Sequence, residues 1–323
     1  MTQPPTLEVQ DLKTYFFTRT GVVKAVDGVS FSVGAGETLG IVGESGCGKS
    51  MTALSIMGLV PQPAGRIVGG SVLLEGEDLL QKTPAEMQQV RGRKICMILQ
   101  DPMTSLNPVF TVGNQMVETL RLSREMRQKG LINQAIEQLR RVKIASPEVR
   151  LGNYPHQMSG GMRQRVVGAI ATSGSPKLLI ADEATTSLDA TIQFQYLKLL
   201  KDLQQETGLA IIFITHDFGI VARMCDRVAV MYAGKIVELA DVRDLFNHPS
   251  HPYTEALMKS VPNVDDDVDH LYSIEGQPPA LDKLPEGCTF AARCPYAFDR
   301  CLKEYPTEIM VAKTHSAACW RLL

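Results

Sequence analysis

The chain has 323 residues, of which 44% are apolar, and a formal charge of −2. That is enough chain for about two domains with a substantial core. The near-neutral balance excludes the chain-wide basic field that draws a protein to nucleic acid or to an acidic membrane surface.

In chain order, "TLEVQDLKTYFF", "VKAVDGVSFSV" and "GSVLLEGEDL" alternate apolar with polar residues and are divided by Gly. They predict an antiparallel sheet half open to water. The runs "ETLGIVG", "KICMILQ", "KLLIADE", "LAIIFITHD" and "RVAVMYAG" are apolar without that alternation, as strands buried on both faces of a mostly parallel sheet are. Helical patterns such as "GKSMTALSIMGL" and "TIQFQYLKLLKDLQQET" separate them, so the expected fold class is α/β with a nucleotide-binding core. Between about 105 and 165, "VGNQMVETLRL" and "LINQAIEQLRRV" predict an inserted α-helical subdomain. After about 245 the text turns rich in Pro, His and Asp, which divides a domain at 1–245 from a C-terminal extension at 246–323.

No window offers the roughly 18 to 20 uncharged apolar residues of a spanning helix, and "MTQPPTLEVQ" has no signal-peptide pattern. The chain is expected in the cytoplasm, where thiols stay reduced and its seven cysteines do not predict a disulfide framework. Cys47, Cys96 and Cys225 read as small packing residues, whereas Cys288, Cys294, Cys301 and Cys319 crowd into the tail.

"GESGCGKS" fits G-x-x-x-x-G-K-[ST], follows the strand "TLGIV" and opens a helix, the context this phosphate-binding loop requires. Gly43, Gly46 and Gly48 let backbone N–H groups turn toward phosphate oxygens at a helix start, with Ser45, Cys47 and Met51 in the same stretch. Lys49 would reach the β- and γ-phosphates, and Ser50 would ligate Mg²⁺. In "LLIADEATTSLD" an apolar strand delivers Asp182 to its C-terminal end, where it would hold Mg²⁺, with Glu183 as general base for the attacking water. A blander reading, two acids capping a turn, loses ground beside the loop.

A second glycine pair, "MSGGMRQR", has no obvious work on that same nucleotide. Here the chain resembles the nucleotide-binding subunit of an ABC transporter: the stretch looks like the family's signature motif, with Met158 where Leu is usual. The resemblance implies an ABC-type P-loop fold in which two cassettes pair head to tail, so that Ser159, Gly160 and Gly161 grip the ATP held by the neighbour. The physics agrees, because these residues open the helix "MRQRVVGAIA" and present its positive end to an anion. It further implies that Gln100 is the Q-loop glutamine near Mg²⁺, His216 in "FITHD" the switch histidine on the γ-phosphate, and Asp189 in "SLD" the aspartate linking the two sites. Phe16 in "KTYFF" would stack on adenine, with Tyr15 and Phe17 as rivals.

"QDPMTSLNPVFTVGNQ" and "HPSHPYTEALMKSVP" are similar to the dipeptide/oligopeptide importer branch over nearly the whole chain. Two departures are visible. Ala184 stands where that branch usually has Pro, and "ATSGSPK" is richer in Gly and Ser, which should loosen a helix end. The tail spaces its cysteines C-x5-C-x6-C with the fourth after seventeen more residues, without the short pairs of structural zinc. On chemistry alone Cys288, Cys294, Cys301 and Cys319 could hold an iron–sulfur cluster or zinc, or stay uncoordinated. The resemblance implies a [4Fe–4S] cluster. His315 is a fifth candidate ligand, but is favoured as a residue behind the ligands or at the surface.

The expected function is ATP hydrolysis that powers peptide import, with ATP and Mg²⁺ as ligands. The implied partners are a second ATPase subunit, favoured as a paralogue in a heterodimer, two transmembrane permease subunits and, indirectly, an extracytoplasmic solute-binding protein. No nucleic acid is expected, and the chain would sit peripherally on the cytoplasmic face of the cell membrane. The alternatives are an importer ATPase for another small solute such as a metal chelate, or a soluble ABC ATPase of DNA repair or translation. The latter class usually brings coiled-coil insertions or basic arms, and the sequence shows none.

Overall fold

The computed structural model describes residues 4–99, 105–123, 128–186, 188–261 and 272–323. The chain forms two compact units, a larger one built on Leu7–Ser32, Thr38–Leu80 and Ile214–Leu323, and a smaller one built chiefly on Val33–Glu37 and Gln81–Phe213.

In the larger unit β1 (Leu7–Thr18), β2 (Gly21–Val33), β4 (Gly65–Leu74) and β5 (Glu77–Asp78) form one sheet in the order β2-β1-β4-β5, while β3 (Thr38–Val42) belongs to another. β1 and β4 pair antiparallel from Leu7 opposite Leu74 to Phe16 opposite Gly65, with shifts in register around Lys13. The expected alternation is present: Leu7, Val9, Leu12 and Thr14 are buried and their neighbours face outward. Thr14 Oγ1 lies 2.7 Å from Ser55 Oγ, which ties the sheet to the helix Lys49–Ile56.

The smaller unit holds β6 (Ile95–Ile98), β7 (Leu178–Asp182) and β8 (Ala210–Ile214) side by side in the order β8-β7-β6, with β6 and β7 parallel. Every residue of β7 and β8 is buried, which is why neither run alternates. The inserted segment is helical. Val112, Met116 and Leu120 recur at helical spacing on Val112–Ser123 and are fully buried, as are Leu131, Ala135 and Leu139 on Gln128–Arg141. The glycine-rich "ATSGSPK" spans the end of the helix Gly160–Thr172. A Cβ at Gly174 would stand 2.1 Å from the Gly92 carbonyl oxygen, so two backbones meet there and only glycine fits.

Back in the larger unit, β9 (Arg227–Tyr232) runs parallel to β3. β10 (Lys235–Asp241), β12 (His315–Ala317) and β11 (Ile309–Ala312) follow it in antiparallel succession. The tail therefore extends the sheet beyond β10, a role that strands of only four and three residues do not announce in sequence. Glu238 on β10, 1% exposed, anchors it by accepting from the backbone N–H of Ser250 (2.7 Å) and His251 (2.9 Å), with His315 Nε2 at 2.7 Å. His315 is thus neither a surface residue nor a stray ligand but a buried partner of that carboxylate.

His251 caps the helix Pro252–Lys259, its Nδ1 accepting from Tyr253 N at 3.0 Å, and burial pushes its pKa down to about 3. A neutral ring is required for that bond. Below the ordinary histidine pKa of 6.5 the unfolded chain takes up a proton that the folded chain refuses, so stability falls with pH between 6.5 and about 3. Acidification from about pH 7 to about pH 5 should cost about 2 kcal/mol through this group. Urea titrations at the two pH values check it: His251→Asn, which keeps a capping side chain, should remove most of that loss.

Candidate functional site

β3 ends at Val42 and the chain turns through Gly43–Gly48 into the helix Lys49–Ile56. Gly43, Gly46 and Gly48 all take positive φ, at 152°, 79° and 109°. A Cβ at Gly43 would lie 2.2 Å from Met231 O, and one at Gly48 2.3 Å from Ala25 O, so the loop passes too close to its neighbours for any other residue. Lys49, 6% exposed, donates from Nζ to the carbonyl oxygens of Gly43 (2.7 Å) and Glu44 (3.0 Å), which folds the amine back along the loop it serves. Ser45, Gly46 and Ser50 are exposed, Met51 is half-buried, and Cys47 is a buried thiol whose pKa desolvation raises.

In the smaller unit β7 carries Asp182, 6% exposed, to its C-terminal end. Glu183 follows with φ of 46°, a left-handed conformation that costs a non-glycine residue energy and that collects at functional sites. Ala184 is buried, and its carbonyl accepts from Gln164 Nε2 at 2.5 Å. Gln164 belongs to the signature helix Gly160–Thr172, so one buried side chain ties that helix to the turn after Glu183. The sequence reading missed Gln164, whose signal was only a polar residue on an otherwise buried helix face.

Ser159 caps that helix, its Oγ accepting from Met162 N at 3.3 Å. Ser159 and Gly160 are exposed, while Met158, the departure from the motif, is buried and fills an apolar position. The two glycines differ. A Cβ at Gly160 would meet nothing within 4 Å, whereas one at Gly161 would lie 2.6 Å from Ile192 Cγ2. Asp189 caps the helix Ala190–Thr207 by accepting from Thr191 N and Ile192 N at 3.1 and 3.0 Å. Its capping role is therefore real, whatever else it does.

His216 is exposed and precedes Asp217, the cap of Phe218–Met224. Gln100 lies outside the described residues. Of the three aromatics, Tyr15 donates its hydroxyl to Asp27 Oδ1 at 2.5 Å, Phe16 is half-buried against Gly65, and Phe17 is exposed under the Arg66 guanidinium.

Cys288, Cys294, Cys301 and Cys319 line one pocket with His251, Phe290 and Trp320. The donor set has the right kind of atom, and burial raises the pKa of Cys288, Cys294 and Cys319, that of Cys288 to about 11. It is not a formed cage. Among the described residues no group of three or more His, Cys, Asp or Glu stands close enough to hold a metal ion, and the cavity is about 20 Å³. The expected cluster site is thus brought together as a neighbourhood, not as a ligand set.

A family model for ABC transporter matches residues 26–186, and one for the oligopeptide/dipeptide transporter C-terminal region matches residues 237–301. The chain is 52% identical, over 98% of its length and 94% of the relative's, to a probable peptide ABC transporter ATP-binding protein of Sinorhizobium fredii. The chain belongs to the ABC transporter ATP-binding family. This cassette is also similar to two Bacillus subtilis proteins. It is 50% identical to the oligopeptide transport ATP-binding protein AppD, covering 97% of this chain and 96% of that one, and 48% identical to the dipeptide transport ATP-binding protein DppD, covering 97% and 94%. Its fold is that of a solved ATP-binding cassette described as a dimeric post-hydrolysis state bound to ADP and Pi, with a TM-score of 0.65 at 23% identity over 73% of this chain and 99% of the other.

The geometry separates the two signature glycines experimentally. Gly161→Ala should destabilise the cassette by about 1–3 kcal/mol through overpacking on Ile192, and Gly160→Ala should leave its urea midpoint nearly unchanged. Asp189→Ala should lose about 1 kcal/mol with the helix cap, measured in the same way.

Proposed function

We propose that this cassette is the ATP-hydrolysing subunit of an ABC importer for di- and oligopeptides. The observation that carries the reading is similarity near 50% along almost the entire chain to ATP-binding proteins named for peptide, oligopeptide and dipeptide transport, the C-terminal region included.

In this reading Gly43, Ser45, Gly46, Cys47, Gly48 and Met51 frame the phosphates, and Lys49 turns from the loop carbonyls to the β- and γ-phosphates. Ser50 and Asp182, with Gln100, would hold Mg²⁺, which supplies neutralising charge to the transferring phosphoryl group. Glu183 takes a proton from the attacking water, His216 senses the γ-phosphate, and Phe16 stacks on adenine. Ser159, Gly160 and Gly161 serve the nucleotide of a second cassette. The exposure of Ser159 and Gly160 at a helix start supports this, because it leaves that end accessible to a nucleotide carried by another chain. Asp189 would contact the partner near its helix cap. The second cassette is proposed to be a paralogue, the membrane partners two permease subunits fed by a solute-binding protein, and the location the cytoplasmic membrane face. No described helix is long and apolar enough to cross a membrane.

The four tail thiols are proposed to hold an iron–sulfur cluster, for which the pocket would have to widen. Iron, zinc and sulfide analysis of anaerobically purified chain, with Cys301→Ser alongside, tests it. The proposal predicts iron and acid-labile sulfide that the variant loses, and a chain with neither contradicts it.

The transport reading is tested by purifying the tagged chain from solubilised membranes and by uptake in a strain lacking peptide import. Two multi-span proteins and a second cassette should co-purify, and uptake should return with the wild-type gene alone. Glu183→Gln should lower ATP turnover of that complex by about a hundredfold or more while still binding ATP, so that an ATP-dependent pair of cassettes accumulates. Ribosomes or DNA in the purified material would favour the soluble-ATPase alternative.

A further inference from the structure

Within the larger unit a side chain of the Cys-rich tail reaches the phosphate loop. Arg293, whose side chain is 4% exposed, closes the short turn Ala291–Arg293 immediately before Cys294. Its guanidinium grips the carboxylate of Glu44, the second residue of the glycine-rich loop, in a two-pronged pair: Nη1 to Oε2 at 2.7 Å and Nη2 to Oε1 at 3.0 Å. The fork is held in turn by Nε donating to Glu275 O at 3.0 Å, Nη2 to Ile274 O at 3.3 Å and Nη1 to Tyr232 Oη at 3.3 Å. Glu44 is also held through its backbone, whose N–H donates to Tyr253 Oη at 2.9 Å. The ring of Tyr253 packs on Tyr232 and Phe290, at centroid distances of 4.5 and 5.3 Å.

Two physical consequences follow for the loop. A carboxylate two positions into an anion-binding loop repels the phosphates the loop is built to attract, and a bidentate guanidinium at 2.7 Å neutralises it where it stands. The carbonyl of the same Glu44 is one of the two carbonyl acceptors of Lys49 Nζ. Whatever fixes Glu44 therefore also fixes the backbone from which the phosphate-seeking lysine is aimed. A fully exposed ion pair would do neither, since water would screen the charge and the side chains would wander, whereas here the Glu44 side chain is 27% exposed and that of Arg293 4%.

We infer that Arg293 is a positioning residue for nucleotide binding, acting through Glu44, so that the C-terminal extension sets the charge and shape of the phosphate loop. This rests on the reading of Gly43–Ser50 as the ATP site. The test is a double-mutant cycle on the full chain, with the dissociation constant of MgATP measured by calorimetry and urea unfolding measured without nucleotide. Arg293→Met should weaken MgATP binding about tenfold or more, Arg293→Lys should recover part of that loss, and in a Glu44→Gln background Arg293→Met should change the constant by less than about twofold. An unchanged constant in Arg293→Met overturns the inference. So does an equal loss in both backgrounds, because a tail that merely stabilises the fold would not care what occupies position 44. Should Arg293→Met not fold, Arg293→Lys measured with and without Glu44→Gln gives the same cycle at smaller amplitude. Lys49→Ala separates the two levels. If it binds MgATP as tightly as wild type, the ATP-site reading fails and the inference with it; if it does not bind, the cycle judges Arg293 alone.

Discussion

A tight glycine turn from a buried strand into the start of a helix is the constraint on which this molecule is built. Side-chain hydrogen bonds can be exchanged in evolution, but a loop that points its own amides at a phosphate must turn through conformations closed to most residues. Gly43 and Gly48 meet that condition with positive φ and with neighbours that leave no room for a Cβ. The buried β3 delivers the chain to that turn, and the helix Lys49–Ile56 receives it, so the surrounding fold serves as a mount for six residues.

The same device recurs at Ser159–Gly161 with a difference that bears on mechanism. There the helix start faces solvent at Ser159 and Gly160, while Gly161 is glycine for packing against Ile192. Two anion-competent helix ends in one chain, one lined with a lysine and one open, fit a protein that completes its chemistry with a partner. Gln164 gives the second end a mechanical link to the turn after Glu183, because its amide is bonded to Ala184 O inside the core. A change at either end of that bond must be felt at the other, since a buried amide cannot be left without its partner cheaply.

Much of this was legible in sequence because local motifs are written locally. The loop "GESGCGKS", the apolar run to Asp182 and the cap at Ser159 each need only a few adjacent residues, and the periodicity of Val112, Met116 and Leu120 predicts their buried face. What escaped was pairing across long separations. Arg293 meets Glu44 from 249 positions away, and His315 meets Glu238 from 77. His315 therefore read as an outlying residue, though it closes the tail onto β10. The need for glycine at Gly174 was hidden for the same reason: its cause is the Gly92 carbonyl, which no neighbouring residue reveals. The tail cysteines were legible as a group, yet spacing could not say that their shared pocket would be so small.

The account's central claim is that the backbone of this glycine loop holds the phosphates of ATP, and Gly48→Ala tests it most directly. The added methyl would stand 2.3 Å from Ala25 O and force the loop from its path, without removing any charge or side-chain donor. Calorimetric titration of the folded full chain with MgATP should find affinity reduced about a hundredfold or more, with the rest of the fold intact by circular dichroism. Wild-type affinity in that variant would mean that ATP is held elsewhere, or not by the loop's backbone at all.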